Sequence, residues 1–306
     1  MKVKQINKKG FSLLEMSAVI IIISLILTAI SQISNYIESA HATQAKRLTA
    51  NSPVLKIDGL VLWLETSLED SISYTSQSIG GDYIKKVDTW HDLSPMQNDL
   101  VSSSTATLKP RYLEDSTIVK GVPAISFNTT HGFPYLSTTK AINSLKYTIF
   151  IVHRMDSTNP DNAILLYNGS SATDSYSNMR ITKANIDADD TTKAVTIKYI
   201  GDTTKKSTDD TDYNPVYSPN HDPLIAGDPN YLVRINKTKD TSNSYLNVTI
   251  ANLDLSGDLW IGTNNTSGNY HITGELAEII IFSRPLFTQE IKDIETYLYK
   301  KYQIIE

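Results

Sequence analysis

A single carboxylate, Glu15, stands at the mouth of an uncharged stretch that runs from Met16 to Ile37. Left unpaired in hydrocarbon it would cost about 2.5–3.5 kcal/mol on insertion scales, so it needs a partner. Other acids gather further along. Glu65, Glu69 and Asp70 are expected in a solvated loop behind an apolar strand. Glu275 and Glu278 are three apart, which on a strand sends them to opposite faces and denies them a shared acid–base role. Asp187, Asp189 and Asp190 cluster, as do Asp209, Asp210, Asp212 and Asn214. Their hard oxygen atoms at alternate positions suit calcium, although neither cluster has the spacing of a helix–loop–helix calcium loop. Calcium is therefore the one candidate ion, and no cofactor is expected. Tyr176, Tyr213, Tyr217, Trp260 and Tyr270 could stack on sugar rings beside the many Asn and Asp residues. Aromatics in strands more often fill a core.

The elements that would position these groups follow from the apolar pattern. Met16 to Ile37 is about 22 residues long, enough to cross a hydrocarbon core as a helix. Lys2, Lys4, Lys8 and Lys9 precede it without any acid, which favours a cytoplasmic N-terminus. No Gly or Pro occurs between Phe11 and Ser52, so one helix of roughly 60 Å is expected, ended by Pro53. Beyond Val54 the chain turns rich in Ser, Thr, Asn, Asp and Tyr, broken by short apolar runs. Gly59–Leu64, Tyr147–Val152, Ala163–Tyr167, Leu232–Ile235, Tyr245–Ile250, Leu259–Ile261 and Glu278–Phe282 read as buried strands. Turn-rich spacing between them points to an antiparallel sandwich. One helix closes the chain: Thr288 can cap it, Glu290 sits in its first turn and Lys300 and Lys301 in its last. Ile291, Ile294, Tyr297, Leu298 and Tyr302 give it one apolar face. The fold class expected is mainly β, a long N-terminal membrane-spanning helix plus an antiparallel β-sandwich with a C-terminal helix.

The chain has 306 residues, a net charge of −5 and no cysteine. About 250 residues beyond the first helix allow a substantial core without disulfides. The acidic balance gives no bulk attraction to nucleic acid, and no nucleic-acid partner is expected.

Lys8-Lys9-Gly10 followed by Phe11-Ser12-Leu13-Leu14-Glu15 resembles the signal of type IV prepilins and type II secretion pseudopilins. The resemblance implies cleavage between Gly10 and Phe11 by a prepilin peptidase, N-methylation of Phe11, and retention of Glu15 for assembly. The new Phe11 amine would then be the partner of the Glu15 carboxylate, within one subunit or between neighbours. Two competing readings are an ordinary secretory signal cut near Ala40-His41-Ala42, and a plain single-span anchor. The apolar run exceeds the roughly 7–15 residues of a secretory signal. The chain lacks the disulfide of many major pilins and the proline kink of many pilin helices.

Gly59-Leu-Val-Leu-Trp63-Leu, Trp90-His-Asp92-Leu-Ser94, Asn98-Asp99, Gly121-Val-Pro123 to Asn128 and Gly274-Glu-Leu-Ala-Glu278 to Leu286 follow in that order. Together they are similar to laminin-G-like, concanavalin A-like jelly-roll domains of bacterial surface proteins. That family's usual Ser-Gly turn is replaced here by Ser94-Pro95-Met96. Related glucanases carry an E-x-D-x-x-E strand, and this chain has none, so no enzymatic activity is expected.

These readings divide the chain into a leader (1–10), an assembly helix (11–52) and a β-sandwich head (54–306). They imply a filament subunit, a minor type IV pilin with an adhesive or ligand-binding head. A type II secretion pseudopilin is the alternative, and a membrane-tethered polysaccharide-active enzyme a third. Expected partners are the peptidase, other pilin subunits, the membrane, and a carbohydrate or surface protein. The expected location is the inner (cytoplasmic) membrane, single-pass with an extracytoplasmic head, and then a pilus or pseudopilus.

Overall fold

The computed structural model describes residues 12–79, 82–116, 118–119, 121–128, 134–138, 147–155, 164–169, 179–183, 195–199, 220–221, 234–235, 238–239, 246–248, 258–263 and 271–303. Helix α1 runs Leu13–Ala50, without a glycine or proline to interrupt it. Asn51 ends the helix, its side-chain amide and backbone N–H both donating to the Arg47 carbonyl, and Pro53 follows. At 38 residues the helix is about 57 Å long.

Strands then follow as β1 (Leu60–Glu65), β2 (Ile72–Ile79), β3 (Asp82–Trp90), β4 (Leu100–Ser102), β5 (Arg111–Leu113) and β6 (Ala124–Phe127). Next come β7 (Leu136–Thr138), β8 (Tyr147–Met155), β9 (Ile164–Gly169), β10 (Met179–Lys183), β11 (Val195–Tyr199) and β12 (Asn220–His221). The series closes with β13 (Arg234–Ile235), β14 (Thr238–Lys239), β15 (Leu246–Val248), β16 (Asp258–Ile261) and β17 (Gly274–Phe282), before helix α2 (Thr288–Tyr302). One long curled sheet runs β12-β8-β17-β6-β5-β3-β4-β7-β16-β9-β10-β11-β15, with β1 added on β17 and β2 on β3. Among these pairs only β10–β11 is parallel. This is the mainly β architecture expected, with its long N-terminal and shorter C-terminal helices.

β17 is the hub. β8 pairs along its length, β6 takes its first half and β1 its second. All nine of its residues are buried, so it carries an apolar run where a half-exposed strand would alternate. Alternation instead sorts its side chains between two cores. Ile279 and Ile281 join Leu62, Leu64, Ile149, Ile151 and Trp90 inside the curl of the sheet. Ile280 and Phe282 face outward with Trp63, Phe150 and Val152, and there α2 covers them with Ile294, Leu298 and Tyr302. Phe150 and Phe282 meet edge to face at 6.5 Å.

Helix α1 contributes to this second core through its last turns, since Ala45 is buried with the α2 face and Leu48 packs against it. Higher up, the backbone at Gly121 presses on α1 at Glu38. Its φ is +80°, and a Cβ there would fall 2.2 Å from the Glu38 carbonyl oxygen.

The 90–99 turn is built on Asp92. Its buried carboxylate accepts the N–H groups of Trp63 (2.8 Å), Ser94 (2.9 Å) and Asn98 (2.7 Å) and the Ser94 hydroxyl (2.7 Å). Asn98 donates back to the Val61 carbonyl, so the turn is fixed to β1. Within the turn Gln97 takes up a φ of +53°. The α2 start also differs from expectation: Phe287 is the N-cap, and its N–H donates to Glu290 at 2.8 Å, while Thr288 is the first helical residue.

Candidate functional site

The carboxylate of Glu15 belongs to a closed local motif. Ser12 caps α1, its hydroxyl accepting from the Glu15 N–H at 3.2 Å, while Glu15 accepts from the Ser12 N–H at 2.8 Å. Ser12-Leu13-Leu14-Glu15 has the S-x-x-E spacing of such a box, so Ser12 was findable in the sequence. Gly10 and Phe11 lie outside the described residues. Beyond the cap, α1 holds a window of mean hydropathy 2.6 with none of it buried, long and apolar enough to cross a membrane. The hydroxyls of Ser17, Ser24 and Thr28 donate to carbonyls of their own helix, which suits apolar surroundings.

At its other end α1 meets a buried charge cluster that sequence reasoning missed. Lys301 Nζ lies 2.8 Å from both Glu65 Oε2 and Glu278 Oε2, and all three side chains are sealed from solvent. Glu278 also accepts from Trp63 Nε1 (2.7 Å), the Tyr297 hydroxyl (2.9 Å) and the Tyr302 hydroxyl (2.9 Å). Glu65 accepts from Ser67 N–H (2.8 Å), the Ser67 hydroxyl (2.6 Å) and Leu68 N–H (2.7 Å). Thr49 of α1 reaches into the same network, 3.3 Å from the Tyr297 hydroxyl and 3.1 Å from that of Ser67.

The electrostatics explain why one ammonium sits between two carboxylates. Burial by itself would push Lys301 down, but Glu278 and Glu65 outweigh it and hold the ammonium well above the usual lysine range. Burial would likewise raise Glu65, yet the Lys301 charge and the Ser67 and Leu68 donors hold it below the usual carboxylate range. Tyr297 and Tyr302 are pushed well above the usual phenol range, first by burial and then by the Glu278 charge, so they stay neutral donors. The three charged side chains of the cluster are sealed from solvent. The chemistry of the cluster is attachment, tying α1, β1, β17 and α2 at one point.

The structure corrects the reading of Glu65 as a solvated loop acid: it ends β1 facing α2 and is fully buried. Glu69 and Asp70 are exposed as expected, and Glu69 pairs with Lys46 of α1 at 2.7 Å. Lys301 was hidden because a lysine in a last helical turn reads as a partner of the helix dipole. Its spacing of four from Tyr297 puts it on the apolar face, which was the available signal. Of the stacking candidates, Trp260 is half-buried in β16 with its ring 5.1 Å from that of Tyr135. Tyr176, Tyr213, Tyr217 and Tyr270, and the acidic clusters at 187–190 and 209–214, lie outside the described residues. Among the described residues no group of three or more His, Asp or Glu could hold a metal ion.

Residues 6–31 match the family model described as the prokaryotic N-terminal methylation motif. With the apolar helix behind it, this supports a type IV pilin- or pseudopilin-like subunit. It implies processing by a prepilin peptidase, assembly with other pilins, and membrane anchoring that fits later incorporation in a pilus. No curated protein matches the chain. Solved structures similar to it include Trypanosoma rangeli sialidase in complex with sialic acid, at 13% identity and a TM-score of 0.43, covering 80% of this chain and 34% of that one. An α-L-arabinofuranosidase is similar at 10% identity and a TM-score of 0.45, covering 80% and 60%. The binding domain of Paraclostridial Mosquitocidal Protein 1 is similar at 12% and 0.42, covering 78% and 52%. The chain thus spans about a third of the sialidase's length. The expectation that the head is not an enzyme is withdrawn, because glycosidases stand among these neighbours. Likeness at this level assigns no activity in its place.

Proposed function

We propose that the chain is a minor type IV pilin whose head, residues 54–306 with the last turns of α1 docked on it, binds a carbohydrate or a surface protein. The observation that carries the reading is the division of one unbroken helix. Its first part leaves a capped carboxylate and an exposed apolar surface, with Leu14 80%, Ile20 59% and Leu27 62% exposed. Its last turns are locked into the head through Ala45 and Thr49. Such a helix serves both as a membrane anchor before assembly and as the packing element of a filament afterwards. Glu15, satisfied by Ser12 in the single chain, exchanges that partner for the Phe11 amine once cleavage frees it. The head is read as a laminin-G-like jelly roll, supported by the order of its segments and by the turn built on Asp92. The four leader lysines support a cytoplasmic N-terminus with the head on the other side of the membrane.

Intact-mass analysis of the membrane-extracted protein tests this. The expected chain begins at Phe11 and carries one methyl group on its amine. A mature chain that begins at Thr43 would mean ordinary signal peptidase and end the pilin reading. Recovery in sheared surface fibres supports the pilus, whereas retention in the envelope with a secretion defect on deletion indicates a pseudopilus.

A further inference from the structure

Three side chains with no part in anchoring form a hydrogen-bonded line from β2 to the 90–99 turn. Ser73 Oγ lies 2.8 Å from His91 Nε2, and His91 Nδ1 lies 2.9 Å from Asp99 Oδ2. Asp99 is itself aimed, since its Oδ1 accepts the Asp92 N–H at 2.9 Å, and Asp92 fixes the whole turn to β1. An Nδ1–H donated to this carboxylate leaves the Nε2 lone pair facing the Ser73 hydroxyl, the arrangement a general base requires. Ser73 is exposed and open to attack on a substrate. Among the described residues β2 pairs with β3 alone.

We propose that Ser73, His91 and Asp99 form an acyl-transfer site that hydrolyses short-chain carboxylic esters. The size of the acyl group follows from the surroundings. The next residues along β2, Tyr74, Thr75 and Ser76, are exposed, so this stretch of strand gives a long acyl chain no enclosed pocket. An acetyl ester that projects from a larger molecule fits an open site. Ser73 Oγ bonds to the ester carbonyl carbon as its proton passes to His91 Nε2. The carbon–oxygen bond to the alcohol breaks and the alcohol leaves with that proton. Water then gives a proton to His91 and its oxygen to the acyl carbon, and Ser73 regains its proton as the carboxylic acid departs. Ester and water become acid and alcohol, with no cofactor needed.

Full-length protein in detergent is treated with a fluorophosphonate probe, the labelled residue is mapped by peptide mass spectrometry, and p-nitrophenyl acetate turnover is followed. The expected label falls on Ser73. Ser73→Ala abolishes both labelling and turnover, His91→Ala slows labelling about 100-fold or more, and Asp99→Asn lowers kcat far more than it raises KM. Ser73→Ala removes only an exposed hydroxyl, so it keeps the test sound if His91→Ala fails to fold. Absence of label on Ser73, or turnover unchanged in Ser73→Ala, overturns the proposal. A lowered melting midpoint in His91→Ala, with no labelling of the parent protein, overturns it too and leaves the trio a clasp between hairpin and turn. None of these outcomes bears on the processing at Phe11.

Discussion

Lys301 shows how much one buried cation can hold. Replacing it by Met leaves Glu65 and Glu278 as two uncompensated carboxylates in an apolar interior, and a loss of about 3–5 kcal/mol is expected in urea unfolding. An unchanged urea midpoint would show that the two carboxylates find other partners. The pH dependence follows from the same groups. Glu65 is lowered on folding, so its contribution is present above its unfolded pKa and disappears as pH falls through the folded value. Lys301 is raised, so its contribution is complete below its unfolded pKa and disappears only as pH rises through the folded value. Burial pushes His153 down to about 3 and His271 down to about 4. Between those values and 6.5 the unfolded chain binds protons that the folded one refuses, so stability decreases as the pH is lowered across that window. The melting midpoint should therefore be level from about pH 7 to 10 and drop progressively below about 6.5. A midpoint constant from pH 7 to 3 would contradict the burial of both histidines. At this scale the sequence was partly legible. Ser12 and Glu15 announce their box by spacing alone, whereas Glu65 and Lys301 are 236 positions apart and meet only through the pairing of β1 with β17 and the return of α2.

Among the elements, α1 and α2 respond to opposite losses. Glu15→Val leaves the start of α1 uncharged, which lowers the insertion cost while deleting the proposed partner of the Phe11 amine. Normal cleavage and membrane insertion are expected, with the mutant depleted from sheared fibres; full incorporation would refute the pairing. Truncation at Phe287 removes α2 and exposes the outer face of β17, including Ile280 and Phe282. Each large buried side chain lost is worth roughly 1.5–3 kcal/mol, and Ile291, Ile294, Tyr297 and Leu298 go together. That approaches a domain's whole net stability of about 5–15 kcal/mol, so the truncated chain should aggregate or melt far lower. An unaltered melting midpoint would make α2 a detachable tail. Both helices and strands β1, β8 and β17 were visible in the sequence, because unbroken apolar runs or a 3.6-residue period mark them. The β2–β3 hairpin was not. Its strand Ile-Ser-Tyr-Thr-Ser-Gln-Ser-Ile is largely exposed, so no buried face imprints a pattern on it. The Gly80-Gly81 pair was the one turn signal available.

For the whole molecule, the boundary between helix and head is less sharp than a break at Pro53 suggests. Ala45 and Thr49 belong to the packing of the head, and Lys46 pairs with Glu69. A head fragment that begins at residue 54 is expected to fold, and one that begins at Ile37 to melt several degrees higher, at about 2–4 °C per kcal/mol gained for a domain of this size. Equal midpoints in calorimetry would reduce α1 to a tether. The order of the sheet is a non-local property that short apolar runs do not encode, and the sequence pattern stopped at sandwich. Its consequence is mechanical. When the first turns of α1 are gripped by a membrane or by neighbouring subunits and the head is pulled, the load leaves the helix near Thr49. It enters the head at β1, the strand zipped to the hub β17, with Lys301 clamped across both. A pull directed along β1 loads its run of backbone hydrogen bonds to β17 together, with the Lys301 ion pairs beside them.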